Sequence, residues 1–192
     1  MLRWLVCFSL LVCVMSQTPR PCESPKAWEG DVHTFDESKK FRRNARITYD
    51  EENIRIREVE ELAIGSKDDF FDVIRLYREG VEYRLNLRTK VCNVTTLTRH
   101  FVPIGFPPNA NFSDSFVIGI SGFQDEEVSA ISFDGVFEGV QFYGIVTTPD
   151  CYPVHLTTQS QQFGLAQSQY YNIKAGIPDP NVFIPPPECT RK

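Results

Sequence analysis

Apolar and polar residues alternate with a period of two over much of the chain, which is the pattern of half-buried β-strands. Turn residues separate the alternating segments, and two clear hairpins stand out, one turning at 50–53 and one at 78–80. The predicted strands are 45–49, 54–59, 73–77, 81–87, 91–97, 116–120, 128–133, 139–147, 154–158 and 170–175. The spacing predicts a mainly β protein, built as an antiparallel meander.

Helix signals are sparse. Residues 68–72 fit either a short turn of helix or an irregular lead into the next strand. Residues 177–183 predict a short helix with Pro180 in its first turn, where the absent amide hydrogen is not needed. The prolines at 185–187 then favour an extended tail that Cys189 fixes in place.

Some predicted strands are apolar on both faces, so both of their faces must be shielded from water. Residues 116–118 and 144–146 do not alternate, and large aromatic residues are plentiful. A strand of this kind either lies between two packed layers or faces a core on one side and a cavity on the other. The periodicity leaves open both a plain two-sheet sandwich and a sheet that surrounds a pocket.

The N-terminus has the pattern of a secretory leader. Arg3 precedes an apolar run at 4–15 that is too short to span a bilayer, and Ser16 ends a cleavage site of compact residues. We therefore predict a signal peptide at 1–16 and a single domain at 17–192. An exported chain with four dispersed cysteines is expected to form two disulfides, and the sequence allows three connectivities among Cys22, Cys92, Cys151 and Cys189.

Two sequons and the charge agree with export. Asn93 and Asn111 each begin an Asn-x-Ser/Thr sequence without proline, so both are predicted glycosylation sites. The formal net charge is −5, or −6 once Arg3 is removed with the leader, and no basic patch of the nucleic-acid kind is visible in the sequence. No later segment approaches transmembrane length, so we predict a secreted protein without a transmembrane anchor.

The sequence lacks the motifs that usually carry catalysis or hold a metal, so we predict that the protein is not an enzyme. Neither His-Glu-x-x-His, Cys-x-x-Cys nor Gly-x-Ser-x-Gly occurs. The acidic clusters 50–52 and 125–127 are predicted to be solvated turns, and 68–69 could join them in a weak calcium site. We expect three ordinary surface or strand histidines: His33, His100 and His155.

Several blocks, in order along nearly all of the mature chain, resemble the ependymin and ependymin-related proteins. They are 21–30, 47–50 with Arg55 and Arg57, 77–81, 150–154, and 176–183 with Pro185, Pro186 and Cys189. The resemblance implies one antiparallel β domain whose sheets curve into a half-open barrel, similar to the bacterial lipoprotein carriers, around an apolar pocket. It also implies secreted glycoproteins, often homodimers, that bind lipids or other hydrophobic molecules, with calcium association in some members.

The resemblance also implies a disulfide pattern. Many relatives of the mammalian type carry six framework cysteines, whereas here the position near Phe70 and one beyond Cys189 lack cysteine. Losing both members of one bridge leaves an even count. By the family pattern the remaining bridges would be Cys22–Cys151 and Cys92–Cys189.

These observations favour a secreted glycoprotein that binds a lipid or other hydrophobic ligand in an apolar β pocket. The alternative is a calcium-binding extracellular matrix or adhesion glycoprotein with a closed interior. No cofactor is predicted apart from a candidate structural calcium, whose ligands are unknown. The predicted pocket lining is Ile47, Tyr49, Ile56, Leu85, Leu87, Phe133, Phe142 and Tyr170.

Overall fold

Eleven β-strands occupy most of residues 18–161 and 164–190, the part of the chain that the computed structural model describes. The predicted signal peptide at 1–16 lies outside the described residues. The strands are β1 Ala27–Asp36, β2 Phe41–Asp50, β3 Arg55–Ile64, β4 Lys67–Leu76, β5 Val81–Asn86, β6 Cys92–Thr96, β7 Asn111–Gly119, β8 Glu127–Phe137, β9 Val140–Thr147, β10 Pro153–Ser160 and β11 Gly164–Ala175.

All eleven strands belong to one antiparallel sheet. The strand order is β6-β5-β4-β3-β2-β1-β11-β10-β9-β8-β7, so the sheet has two free edges and does not close into a barrel. Two meanders, β1–β6 and β7–β11, are joined where β1 pairs with β11. The predicted mainly β fold, half-open and antiparallel, is confirmed.

The central strand, β1, was not predicted from periodicity. Its buried positions include Gly30, where a Cβ atom would lie 3.0 Å from Ile173 Cγ1 and 3.3 Å from the Tyr171 carbonyl oxygen. A register shift between Glu29 and Asp31 also interrupts the pairing with β11. Three of the five residues on the buried face of β1 are small or polar, namely Gly30, Thr34 and Asp36. The strand therefore lacks the alternation of apolar and polar residues that identified its neighbours.

Two local predictions were wrong. Residues 68–72 are neither helical nor irregular but belong to β4, where Asp68 pairs with Ala63 of β3. The tail after 185 does not stay extended, because Pro187–Thr190 forms a short α-helix that carries Cys189. The predicted short helix with Pro180 in its first turn is present as a 3-10 helix at Pro180–Phe183, and a second 3-10 helix lies at Glu37–Lys39.

Different segments cover the two faces of the sheet. We define the inner face as the one that carries Trp28, Tyr49 and Phe133, and the loop 97–110 between β6 and β7 crosses it. The outer face is crossed by the C-terminal segment 177–190. Apolar clusters around Trp28 and around Phe133 form the core beneath the loop.

Two arginines of β3 hold the C-terminal segment on the outer face. Arg57 donates from Nη1 to the Val182 carbonyl oxygen at 2.7 Å, and Asp72 orients it through two further bonds of 2.8 and 2.7 Å. The guanidinium carbon of Arg55 lies 4.1 Å from the centroid of the Phe183 ring, which is within cation–π range. The segment is therefore attached by charged groups, and the disulfide to β6 adds a covalent link.

The structure contains the two disulfides that the family resemblance implies. Cys22–Cys151 joins the segment before β1 to the turn after β9, across a separation of 129 residues. Cys92–Cys189 joins β6 to the C-terminal helix, across 97 residues. The first bridge lies in the apolar cluster of Phe133, since Cys151 is only 3% exposed, whereas both cysteines of the second are half-buried.

Removing either disulfide should cost roughly 4–5 kcal/mol of unfolding free energy through loop entropy, and the two loop lengths differ by only about 0.3 kcal/mol in that model. Loss of core packing adds to the cost only for the first bridge. We therefore expect Cys22→Ala with Cys151→Ala to be more destabilising than Cys92→Ala with Cys189→Ala. Urea denaturation of both double variants measures the difference; equal losses would contradict the packing contribution.

Candidate ligand-binding site

The loop 97–110 is held on the inner face by aromatic stacking and one shared hydroxyl. The Phe101 ring stacks on Tyr49 at a centroid distance of 5.9 Å and meets Tyr77 edge-on at 5.1 Å. The Tyr49 hydroxyl accepts a hydrogen bond from the Ile104 amide at 3.1 Å and donates to Glu51 Oε2 at 2.8 Å. A single side chain thus connects the loop to the sheet and to the turn after β2.

The same loop pairs with the segment that precedes β1. The Ser24 amide donates to the Ile104 carbonyl oxygen at 2.8 Å, and the Phe106 amide donates to the Cys22 carbonyl oxygen at 3.0 Å. Between them, Gly105 forms a β-bridge with Glu23. Gly105 has a φ of 156°, and a Cβ atom there would lie 2.7 Å from Glu23 Cα, so only glycine permits this approach.

Phe106 inserts from the loop into the other half of the inner face. Its ring lies over Gly144 of β9, where a Cβ atom would be 2.5 Å from the ring. The Phe106 centroid is 5.0 Å from that of Phe133 and 5.9 Å from that of Phe142. Glycine at 144 therefore makes the space that lets the loop pack directly on the sheet.

An apolar cleft of 440 Å³ lies where the loop meets β8, β9 and β10. Most of its lining is aliphatic, aromatic or proline, and Glu23 and Glu138 are the charged residues that line it. The complete lining is Glu23, Val102, Pro103, Gly105, Phe106, Pro107, Pro108, Phe137, Glu138, Val140, Phe142, Leu156 and Thr158. The cleft can therefore bury an apolar group. The charged groups in its lining are the carboxylates of Glu23 and Glu138.

The half of the inner face formed by β2–β5 carries charged side chains beside the apolar cluster around Trp28. Side chains of alternating sign form a continuous series there, and adjacent nitrogen–oxygen distances are 2.6–3.3 Å. The series runs Arg84, Glu60, Arg43, Glu58, Arg75 and Glu82. The three arginines and three glutamates of the series are paired with one another.

The ion series keeps its buried members ionised. Burial alone would raise the pKa of Glu58, but the guanidinium groups of Arg43 and Arg75 outweigh it and hold the pKa below its ordinary value of 4.5. Burial likewise works against the charge on Arg75, and the Glu58 carboxylate more than compensates, which raises the pKa of Arg75. In the adjoining apolar cluster, burial raises the pKa of Tyr170 to about 12.

A family model for ependymin matches residues 65–189. The chain belongs to the ependymin family. Mammalian ependymin-related protein 1 from Mus musculus is 30% identical, and that from Rattus norvegicus is 29% identical, each over 194 aligned residues. Each alignment covers 97% of this chain and 83% of the relative. Family membership supports an extracellular role of the glycoprotein type.

The ependymin-family fold seen here is similar to a solved structure of distant sequence. An uncharacterized conserved protein from Thermus thermophilus superposes with a TM-score of 0.53 at 11% identity, over 96% of each chain. A likeness at this identity shows the fold alone. Within residues 18–161 and 164–190, every helix falls short of the length and apolar character that a membrane span requires.

The predicted pocket residues of this ependymin-family chain do not converge on one cavity. Phe142 lies on the wall of the cleft, and Phe133 is fully buried beneath Phe106. Tyr170 also borders a small cavity of 40 Å³ behind the loop. Four of the residues pack around Trp28: Ile47, Tyr49, Ile56 and Tyr170. Their contact with a ligand stays a prediction.

The placement of Leu85 among the pocket residues was wrong. Leu85 pairs with Asp72, whose carboxylate binds Arg57 beneath the C-terminal segment, so it lies on the outer face. Its strand neighbour Arg84 belongs to the inner face, as the period of two requires. Leu87 follows β5, is half-buried, and donates its amide hydrogen to the Phe70 carbonyl oxygen at 2.8 Å.

Sequence analysis missed most of the cleft lining. Val102 and Phe106 come from the loop, while Phe137 and Leu156 come from β8 and β10, and none of them was predicted. A signal was available, because residues 101–108 combine apolar side chains with three prolines and show no period of two. A segment of this kind cannot be a central strand, yet it has apolar surface to bury.

The predicted glycosylation sites lie in accessible positions. Asn93 is exposed in β6, and Asn111 is exposed at the start of β7. These two strands are the two edges of the sheet. Attachment of glycans stays a prediction. Each histidine of this chain contacts a different partner: His33 contacts Asn44, His100 contacts Glu138, and His155 contacts Thr157.

The prediction of a solvated acidic turn was wrong for Asp50. Asp50 is 4% exposed and accepts hydrogen bonds from the Asn53 side chain at 2.9 Å and from Arg55 Nε at 2.7 Å. Asp125 and Glu126 are exposed, as predicted. Among the described residues, no group of three or more His, Cys, Asp or Glu side chains is placed to hold a metal ion.

Acid should destabilise the fold through the ion series. Because the folded-state pKa of Glu58 is lowered, its contribution is complete above the ordinary value of 4.5 and is lost as the pH falls through the folded-state value. We expect the unfolding free energy, measured by urea denaturation between pH 7 and pH 3, to decline below about pH 4.5. Glu58→Gln should be less stable by roughly 3–5 kcal/mol at pH 7 and should show a shallower decline. A parallel decline in both proteins would contradict a role for Glu58.

Tyr49→Phe should loosen the loop 97–110 without removing its stacking. The substitution leaves the Ile104 amide without its acceptor, which costs about 1–3 kcal/mol for a buried group. We expect faster hydrogen exchange across 101–106, measured by mass spectrometry of peptides. Tyr143→Phe, on an exposed ring of β9, is the matched control and should exchange like the unaltered protein. Unchanged exchange in Tyr49→Phe would show that the hydroxyl does not hold the loop.

Proposed function

We propose that this ependymin-family protein is a secreted, non-enzymatic glycoprotein that binds a lipid or other hydrophobic molecule in the cleft beneath the loop 97–110. The observation that carries the proposal is the cleft itself, with its apolar lining from the loop and from three strands. Its volume of 440 Å³ falls within the range of about 300–1,000 Å³ that is usual for small-molecule sites.

The chemistry of the lining supports an apolar ligand. A water molecule against Val102, Phe106, Phe137 or Leu156 would find few polar partners, and hydrocarbon is favoured in such surroundings. Burial of a ligand there gains about 25 cal/mol per Å² of apolar surface, before the cost of ordering is subtracted. Binding of this origin should have a negative heat-capacity change.

The proposed site uses one half of the inner face. The half formed by β2–β5 carries the paired arginines and glutamates. An apolar chain placed against them would have to remove water and partners from buried charges. The ring of Phe106 lies in the half formed by β8–β10, where it packs against Phe133 and Phe142. The ligand is therefore expected against β8–β10 and the loop.

Secretion and glycosylation are part of the proposal. Two disulfides at large sequence separations are typical of chains that fold in an oxidising compartment. The acceptors Asn93 and Asn111 are both exposed to the transferase that would modify them. Association into a homodimer stays a prediction of the family resemblance.

No specific observation favours the alternative of a calcium-binding matrix glycoprotein. Asp50, the most buried residue of the acidic turn 50–52, already accepts from Asn53 and Arg55. A carboxylate paired with an arginine is a poor calcium ligand, because the cation would have to displace the guanidinium group.

A charge introduced into the cleft should abolish binding. Phe137 lines the cleft and is 40% exposed, while its neighbour Val136 is 56% exposed and faces the opposite side of β8. Phe137→Asp should weaken ligand binding by at least about tenfold, because a bound apolar ligand would cover a carboxylate that has no partner. Val136→Asp, the matched control, should bind normally.

The measurement is displacement of an environment-sensitive dye by dodecanol, after circular dichroism has shown that both variants are folded. Both positions are partly exposed, so neither substitution should unfold the protein. Equal binding by Phe137→Asp and Val136→Asp would place the ligand outside the cleft. If the unaltered protein bound no apolar probe, the proposal itself would be wrong.

A further inference from the structure

We propose that the outer face of strands β9–β11 is a binding site for a neutral oligosaccharide. We refer to this surface as the amide face, because glutamine side chains predominate on it. It is defined by six outward-facing residues: Gln141, Tyr143, Thr157, Gln159, Gln167 and Gln169. The site goes beyond the proposed function, since the apolar cleft lies on the opposite face of the sheet.

The strand register brings these side chains together on one surface. Thr157 of β10 pairs with Tyr143 of β9 and with Gln167 of β11. Its strand neighbour Leu156 lines the cleft on the inner face, so Thr157 and both partners face outward. Neighbouring strands lie about 4.8 Å apart and alternate residues of one strand about 7 Å apart, so these side chains are close enough to contact one ligand.

The amide face carries no ionised side chain among the described residues. The outward positions of 141–145, 155–159 and 165–169 are glutamine, threonine, tyrosine, isoleucine, leucine and histidine. Burial lowers the pKa of His155 below its ordinary value of 6.5, so its imidazole is neutral at pH 7. Charged residues make up 23% of the whole chain, so their absence sets this surface apart. A charged ligand would find no counter-ion here, whereas a neutral polar ligand needs none.

The glutamine amides on this face are free to bind a ligand. Within residues 18–161 and 164–190, the side chains of Gln141, Gln159, Gln167 and Gln169 form no hydrogen bond, and all but Gln167 are exposed. Each amide has one acceptor oxygen and two donor hydrogens. A sugar ring carries several adjacent hydroxyl groups that both donate and accept, so neighbouring amides can bind them in pairs.

Tyr143 supplies an apolar contact in the middle of the amide face. Its ring is 38% exposed and lies in the same row as Thr157. The face of an aromatic ring is partly negative, and it attracts the partly positive C–H groups on one side of a sugar ring. Tyr171, which is 46% exposed, occupies the next outward position along β11 and offers a second ring. A sugar can therefore stack on a tyrosine while its hydroxyl groups reach the amides.

A polar concavity continues the amide face between the β8–β9 turn and the end of β10. Its volume is 520 Å³, within the range of about 300–1,000 Å³ that is usual for small-molecule sites. The lining is Glu138, Gly139, Val140, Gln141, Gln159, Ser160 and Gln161. Three of these residues are glutamines, and the cross-strand pair of Gln141 and Gln159 belongs to both the concavity and the amide face. The concavity can therefore hold one end of an oligosaccharide that lies along the face.

The test is calorimetric titration of the intact protein at pH 7 with three neutral probes, namely cellohexaose, mannohexaose and chitohexaose. We expect saturable binding of at least one of them. Gln141→Ala with Gln159→Ala should weaken that binding at least about tenfold, because both substitutions remove hydrogen bonds between neutral groups. Gln124→Ala, at an exposed glutamine in the β7–β8 turn, is the control and should bind like the unaltered protein. All these positions are exposed, and circular dichroism checks that the variants are folded.

Substitutions of Tyr143 test the stacking contact. Tyr143→Ala should weaken binding at least about fivefold, whereas Tyr143→Phe keeps the ring and should retain it. Phe123→Ala removes a ring that is 62% exposed in the β7–β8 turn, and it should have no effect. Equal binding by the unaltered protein, by Tyr143→Ala and by the glutamine double variant would overturn the inference.

Further outcomes separate this site from the proposed cleft. Phe137→Asp should bind the sugar normally, and dodecanol should not displace it. Loss of sugar binding in either experiment would place the sugar in the cleft and overturn the inference. A hyaluronan hexasaccharide, which carries carboxylates, should bind no more tightly than the neutral probes, and tighter, salt-sensitive binding would contradict a neutral site. Failure of all three neutral probes to bind would also overturn the inference, while leaving the proposed apolar site untouched.

Discussion

The fit of the loop 97–110 against the inner face is the constraint on which the rest of the structure depends. A sheet that does not close leaves one apolar face to water unless another segment covers it. Here the hydroxyl of Tyr49 anchors the middle of the loop, and the glycine at 144 admits the ring of Phe106. The cleft lies where the loop meets β8, β9 and β10.

The inner face carries a series of ion pairs on β2–β5 and an apolar cleft at β8–β10. The series around Glu58 links β2–β5. The free energy of its ion pairs is offset to a large extent by the cost of removing the charged groups from water. Removal of one member would leave a buried partner with an uncompensated charge, so the six side chains act as a unit. Glu23 and Glu138 are the charged residues that line the cleft.

Sequence periodicity predicted ten of the strands because side chains on half-buried strands alternate in character. It missed β1, since Gly30, Thr34 and Asp36 occupy three positions on the buried face of that central strand, where large apolar residues would be expected. It placed Leu85 in the pocket because alternation tells which residues share a face, but not which face is inner. The cleft was missed because Val102 and Phe106 belong to a loop, where no period connects a residue to its partner in space.

The open sheet has one more consequence. Among residues 18–161 and 164–190, no further strand pairs with the outer sides of β6 and β7. Val117 and Ile118 are exposed on β7, the longer of these two edge strands. Such edges are templates onto which another copy can add a strand, and repetition of that step builds a fibril. Asn93 and Asn111 place one glycosylation acceptor on each edge. A glycan at either position would stand in the path of an incoming chain, so modification during export would also protect the open sheet from polymerisation.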